Sequence, residues 1–181
     1  MTIPGGISVD TIKWRRRWTM TTNDMTRGSR SVAPAWLPTV ALVVGVTFLL
    51  VGVLGFVPGI TTNYGDMTFA GHESDAKLLG IFEVSILHNV VHLLFGVVGV
   101  LAGRRSPAGA AWYLLIGGLV YGVLWIYGLV VDDHSDANFV PVNSADDWLH
   151  FVLAVSMVAL GSVGLQQLRR SSGRGSSSTG R

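Results

Sequence analysis

The sequence predicts an all-α integral membrane protein, a four-helix bundle with disordered termini, and three observations predict it. Hydrophobic residues make up 49% of the chain and charged residues only 13%, with a mean hydropathy of +0.48, values typical of a lipid-embedded chain. Four apolar runs, at about residues 36–57, 78–101, 108–131 and 148–165, reach or approach the ~20 residues that cross a hydrocarbon core as helix. The third observation is where the basic residues sit. Of the 13 Lys and Arg, all but Lys77 lie in the N-terminal arm, at Arg104 and Arg105, or in the tail. The positive-inside rule then places both termini and the Arg104–Arg105 turn in the cytoplasm, with the first and third connections outside. Asp66, Glu73, Asp75, Asp132, Asp133, Asp136, Asp146 and Asp147 gather on that outer side.

Residues 1–35 read as a basic, disordered cytoplasmic arm punctuated by Pro4, Gly28 and Pro34. Within it Trp14-Arg15-Arg16-Arg17-Trp18 suits either a topology signal or contact with an anionic leaflet. Met20 and Met25 are alternative starts. The four-span domain follows over 36–168, and 169–181 is a Ser/Gly/Arg tail of disordered composition. The chain has 0 cysteines, so disulfide and thiolate chemistry are excluded. No phosphate loop, nucleophile elbow or nucleotide fingerprint is present, which disfavours a conventional hydrolase or kinase and leaves no sign of a nucleic-acid partner.

The first span carries Gly45 and Gly52 on one face and ends at Pro58-Gly59, so it accepts a close neighbour and then turns. The polar loop after it includes His72, Glu73 and Asp75. In the second span Ser85, His88, His92, Gly96, Gly99 and Gly103 fall near one stripe, a face that meets other helices. Gly103-Arg104-Arg105-Ser106-Pro107 is a short turn, so the second and third spans are antiparallel neighbours. Gly118 and Gly122 offer another close-packing face on the third span, which also carries Tyr113, Tyr121, Trp125 and Tyr127; rings near the membrane ends, Trp36 and Trp112 inside and Tyr127 and Trp148 outside, read as interfacial anchors. Asp132–Ala145, with His134, reads as a solvated outer loop. Ser144 with Asp147 three residues later resembles a capping box at the start of the fourth span.

The candidate site residues are the polar side chains within these runs, because burying them in lipid is costly. His88 and His92 share a helix face four residues apart, Asn89 sits between them, and Glu83 reads as a carboxylate at the water-facing rim. On the fourth span His150 follows Asp146 by four residues and Asp147 by three. By the 1.5 Å rise His150 is placed about a turn shallower than His88 and too shallow to join His92.

Three stretches carry a family resemblance: Gly55-Phe56-Val57-Pro58-Gly59-Ile60-Thr61, Leu87-His88-Asn89-Val90-Val91-His92-Leu93-Leu94-Phe95-Gly96 and Val142-Asn143-Ser144-Ala145-Asp146-Asp147-Trp148-Leu149-His150. With them the chain resembles a bacterial, largely actinobacterial family of small four-span membrane proteins, domain of unknown function 4383, over about residues 35–168. Its His-Asn-x-x-His falls on His88, Asn89 and His92, and its Asn-x-x-Asp-x-x-Leu-His on Asn143, Asp146, Leu149 and His150. Asp147 stands where the family often has Asn. The resemblance implies a multi-pass inner-membrane protein and names no activity.

Three functional classes follow from these residues. The bland one is a structural or interaction component of the membrane, alone, as a homo-oligomer or with another membrane protein, its histidines hydrogen-bonded between helices. A second is a metal site of His88, His92 and His150 with Asp146 or Asp147, or a haem held by His88 and His150. The third is a proton or small-solute path through the same side chains.

Overall fold

The computed structural model describes residues 34–71, 73–132, 135, 138–140 and 143–176. Ala33–Arg169 form one compact unit. The basic arm, His72, Asp133, His134 and Asp136 lie outside the described residues.

This part of the chain holds four helices long and apolar enough to cross a membrane: α1 Trp36–Leu54, α2 Ile86–Arg105, α3 Pro107–Val130 and α4 Ser144–Ser176, the last continuing past Arg169. Consecutive helices run antiparallel, and glycines set how closely they approach. A Cβ at Gly45 of α1 would lie 2.7 Å from the Val100 amide nitrogen of α2, and one at Gly161 of α4 only 2.6 Å from that of Leu115 on α3. Backbone contact at this range is where small residues give membrane helices their dispersion energy. Leu37, Ala41, Phe48, Leu114, Tyr121 and Met157 fill the space between. Val43, Leu94, Val123 and Leu129 face outward and are exposed, as lipid-facing side chains are.

The helix ends follow local chemistry. Ser106 caps α3 by accepting from Gly109 N at 3.0 Å, and Pro107 at the first helical position has no N–H to leave unpaired. At the C-terminus of α1, Thr61 Oγ1 donates to Leu54 O and Gly55 O at 3.1 and 3.2 Å, satisfying carbonyls that the helix leaves free. At the other end of α1, Trp36 Nε1 donates to Gln167 Oε1 at 3.2 Å, tying α1 to α4.

The connection between α1 and α2 departs from the expected polar loop. It folds into an antiparallel meander, β1 Thr61–Thr62, β2 Lys77–Leu78 and β3 Phe82–Glu83, paired in chain order. Leu79 (φ +56°) and Gly80 (φ +72°) take left-handed conformations in the β2–β3 turn, the geometry glycine permits without a Cβ clash. Ala76, Leu78 and Val84 bury themselves against Val51 and Leu54 of α1, so the meander is an apolar cap on one end of the bundle.

Expected boundaries therefore move. The second helix begins at Ile86 rather than Leu78, because Leu78–Val84 is apolar for the sake of the meander and Ser85 starts the helix by accepting from His88 N at 3.2 Å. The fourth helix begins at Ser144 and continues to Ser176, into the segment read as a tail; residues 177–181 lie outside the described set.

Candidate functional site

Moving the start of α2 from Leu78 to Ile86 raises its histidines toward the meander end by about 12 Å at 1.5 Å per residue. The level mismatch disappears. His92 and His150 each lie about 9 Å along their helices from the first residue, and Tyr121 about 13 Å from the last residue of α3, by the same rise. The three meet in the bundle interior, with His88 alongside.

The geometry fixes most of the polar directions. His92 Nδ1 lies 3.1 Å from the carbonyl oxygen of His88, which can only accept, so Nδ1 carries the proton. His92 Nε2 then keeps its lone pair and accepts from Tyr121 Oη, 3.4 Å away. The His88 and His92 rings stack with centroids 4.3 Å apart at 13°. Phe48 of α1 meets His92 edge-on at 5.6 Å and stacks on Tyr121 at 5.4 Å. The His150 ring lies 5.3 Å from Tyr121. Every helix thus contributes one ring or more, and aromatic pairs of this kind add about 0.5–1.5 kcal/mol each beyond their burial.

His150 is 3% exposed, and its Nδ1 is buried with no hydrogen-bond partner among the described residues. Two cavities flank the cluster, one of about 280 Å³ bordered by α2 and α3, the other of about 240 Å³ beneath the meander. His88, His92, Tyr121 and His150 line both. The remaining walls are chiefly apolar, and among the described residues no Lys or Arg borders either space.

The other predicted site residues do different work. Asn143 Oδ1 accepts from Ala145 N and Asp146 N at 2.8 and 3.1 Å, while Asp146 Oδ2 accepts from Asn143 N at 3.1 Å. This reciprocal cap sits one residue earlier than the expected Ser144–Asp147 pair. Both side chains also reach the meander: Asp146 Oδ2 accepts from Glu83 N at 3.1 Å, and Asn143 Nδ2 donates to Ile81 O at 2.9 Å. Glu83 is a strand residue, not part of the second span; it faces Lys77 across β2–β3 at 3.6 Å. Asn89, fully buried, packs against Gly55, where a Cβ would collide with its amide oxygen, and its Nδ2 lies 3.9 Å from Met67 Sδ. The Asp147 carboxylate lies against Gly128 of α3, again too close for a Cβ.

Among the described residues no three His, Asp or Glu side chains are arranged to hold a metal ion. Asp146, the expected carboxylate ligand, has its Oδ2 committed to two backbone N–H groups. Tyr121 and Phe48 were not singled out in the sequence. The available signal for Tyr121 was depth, since a tyrosine more than two turns from its helix end is not at an interface.

A family profile described as Domain of unknown function (DUF4383) matches residues 39–163. The chain belongs to this family. Searches of the curated proteins and of the solved structures found no match. Both histidine-bearing stretches lie inside the DUF4383 range, and each divides between architecture and site. Asn89 braces the end of α1 and Asn143 with Asp146 cap α4, whereas His88, His92 and His150 line the cavities.

Proposed function

We propose that this DUF4383 protein is a multi-pass cell-membrane protein that binds a small, neutral, lipid-soluble molecule at His88, His92, Tyr121 and His150. One observation carries the reading: the four polar side chains converge on two cavities whose other walls are chiefly apolar. A purely structural or interaction component needs no cavity at its polar residues. Chemistry of the walls sets the ligand class, since small-molecule sites combine apolar lining with a few convergent polar groups.

A second reading, a proton path, is favoured by the Tyr121 to His92 hydrogen bond and the stacked His88, which link the two cavities. Its sign would be proton leakage in vesicles that Tyr121→Phe reduces. In both readings the termini and the Arg104–Arg105 turn are cytoplasmic and the meander faces outward, in keeping with the charge distribution.

The experiment is purification in mild detergent, organic extraction and mass spectrometry, beside a variant with His88, His92 and His150 changed to alanine. A near-stoichiometric neutral molecule present in the wild type and missing from a folded variant is the expected result. An empty wild-type protein that also gains no thermal protection from a total lipid extract overturns the reading. The visible spectrum and elemental content of the same preparation test the haem and metal alternatives.

A further inference from the structure

We infer that the β2–β3 turn of the meander is inserted into the lipid leaflet at that end of the bundle, with Leu79 and Ile81 among the acyl chains, so that the cavity beneath the meander opens into lipid rather than water. The backbone gives the first indication. Ile81 N donates to Leu78 O at 3.1 Å, closing a four-residue turn in which both central residues, Leu79 and Gly80, have positive φ. Hairpin turns of that hand call for Asn-Gly or Asp-Gly. Elsewhere in the same connection the left-handed position keeps to that preference, since it is Asn63 (φ +49°). At Leu79 a bulky side chain instead holds a conformation that disfavours it, and strain of this kind marks a position where the side chain has other work.

Exposure identifies that work. Leu79 is 62% and Ile81 53% exposed, one on each side of Gly80, although Ala76, Leu78 and Val84 of the same meander are buried. The β1–β2 connection, by contrast, exposes the polar and acidic side chains of Asn63, Asp66, Glu73 and Asp75, which suit water. Two aliphatic side chains at the tip of a strained turn are stabilised by removal from water, and lipid supplies that removal without a protein partner.

The apolar tip is continuous with the lipid-facing surface of the helices. Leu79 lines the cavity beneath the meander together with Thr47 of α1 and Leu149 of α4, and both of these are exposed. Thr47 lies about 10 Å from the end of α1 and Leu149 about 7–8 Å from the start of α4 at 1.5 Å per residue, so the cavity reaches the bundle surface inside the apolar length of both helices. Ile81 O accepts from Asn143 Nδ2 at 2.9 Å, which holds the turn beside the first turn of α4. Trp148, exposed on that same turn, is the kind of ring that sits at a membrane interface. Insertion of the turn requires no ligand, but a lipid-soluble molecule in that leaflet would meet the mouth of the cavity without crossing water.

The test exploits the lack of native cysteine. The full-length Leu79→Cys variant, labelled with a nitroxide, is placed in nanodiscs, and its collisions with molecular oxygen, which concentrates in lipid, are compared by electron paramagnetic resonance with its collisions with a water-soluble nickel chelate. Gly65→Cys supplies the aqueous reference and Val123→Cys the lipid reference. An oxygen-to-nickel ratio at Leu79 several times that at Gly65, and close to that at Val123, is the expected result. A ratio nearer that of Gly65 overturns the insertion, and so does a label reached by neither reagent, which would mean that protein covers the turn. If Leu79→Cys does not fold, Ile81→Cys carries the same expectation and the same contrary outcomes. A label at Leu149 reads the mouth of the cavity, and a ratio there nearer that of Gly65 overturns the opening into lipid.

Discussion

Asp146 shows how much one carboxylate can organise. Its Oδ2 closes the cap of α4 and holds the β3 backbone at Glu83, so Asp146→Ala removes two hydrogen bonds at once. The expected loss is about 2–4 kcal/mol, measured as a lowered unfolding temperature in detergent, with Asp146→Asn recovering part of it through its amide oxygen. The Lys77–Glu83 pair offers a contrast. Its side chains are 37% and 20% exposed, and Lys77→Met should change stability by less than about 1 kcal/mol in the same assay. The histidines were legible in the sequence because a polar side chain in an apolar run has no bland hydropathic explanation. Tyr121 was not, because its ring is at home in lipid and only its hydroxyl, at a depth away from any interface, betrays the role.

Helices were easier to read than the connection between them. Hydropathy alone cannot separate a spanning helix from an apolar strand lying against its end, so Leu78–Val84 merged with the run that follows. Gly80 in a left-handed turn and Ser85 as an N-cap were the breaks in that run. Close helix approach was visible through the glycines, although which helix each one met was not. Gly45 and Gly161 make that dependence testable. Gly45→Val and Gly161→Val push a side chain into the backbone of the neighbouring helix, and overpacking of this kind costs about 1–3 kcal/mol. Both should lower the unfolding temperature, whereas Val123→Ala, at an exposed position, should leave it nearly unchanged.

For the molecule as a whole, the arrangement of basic residues predicts sidedness, and the absence of cysteine makes it simple to measure. Single cysteines at Gly65, in the meander connection, and at Arg105, in the α2–α3 turn, can be labelled in intact cells without background. An impermeant maleimide should reach the first and not the second. The reverse pattern would place the histidine cluster near the opposite face of the membrane and invalidate the positive-inside assignment for this chain.

The tie between α4 and the meander also bears on how the protein is made. Synthesis runs from the N-terminus, so His88, His92 and Tyr121 enter the bilayer before the helix that supplies His150 and Asp146 exists. Until that last helix arrives, the meander lacks its clasp and the cavity beneath it lacks a wall. The cavity is therefore closed only once α4 has inserted, and a chain released from the ribosome before that point would leave His88, His92 and Tyr121 along an open, polar seam.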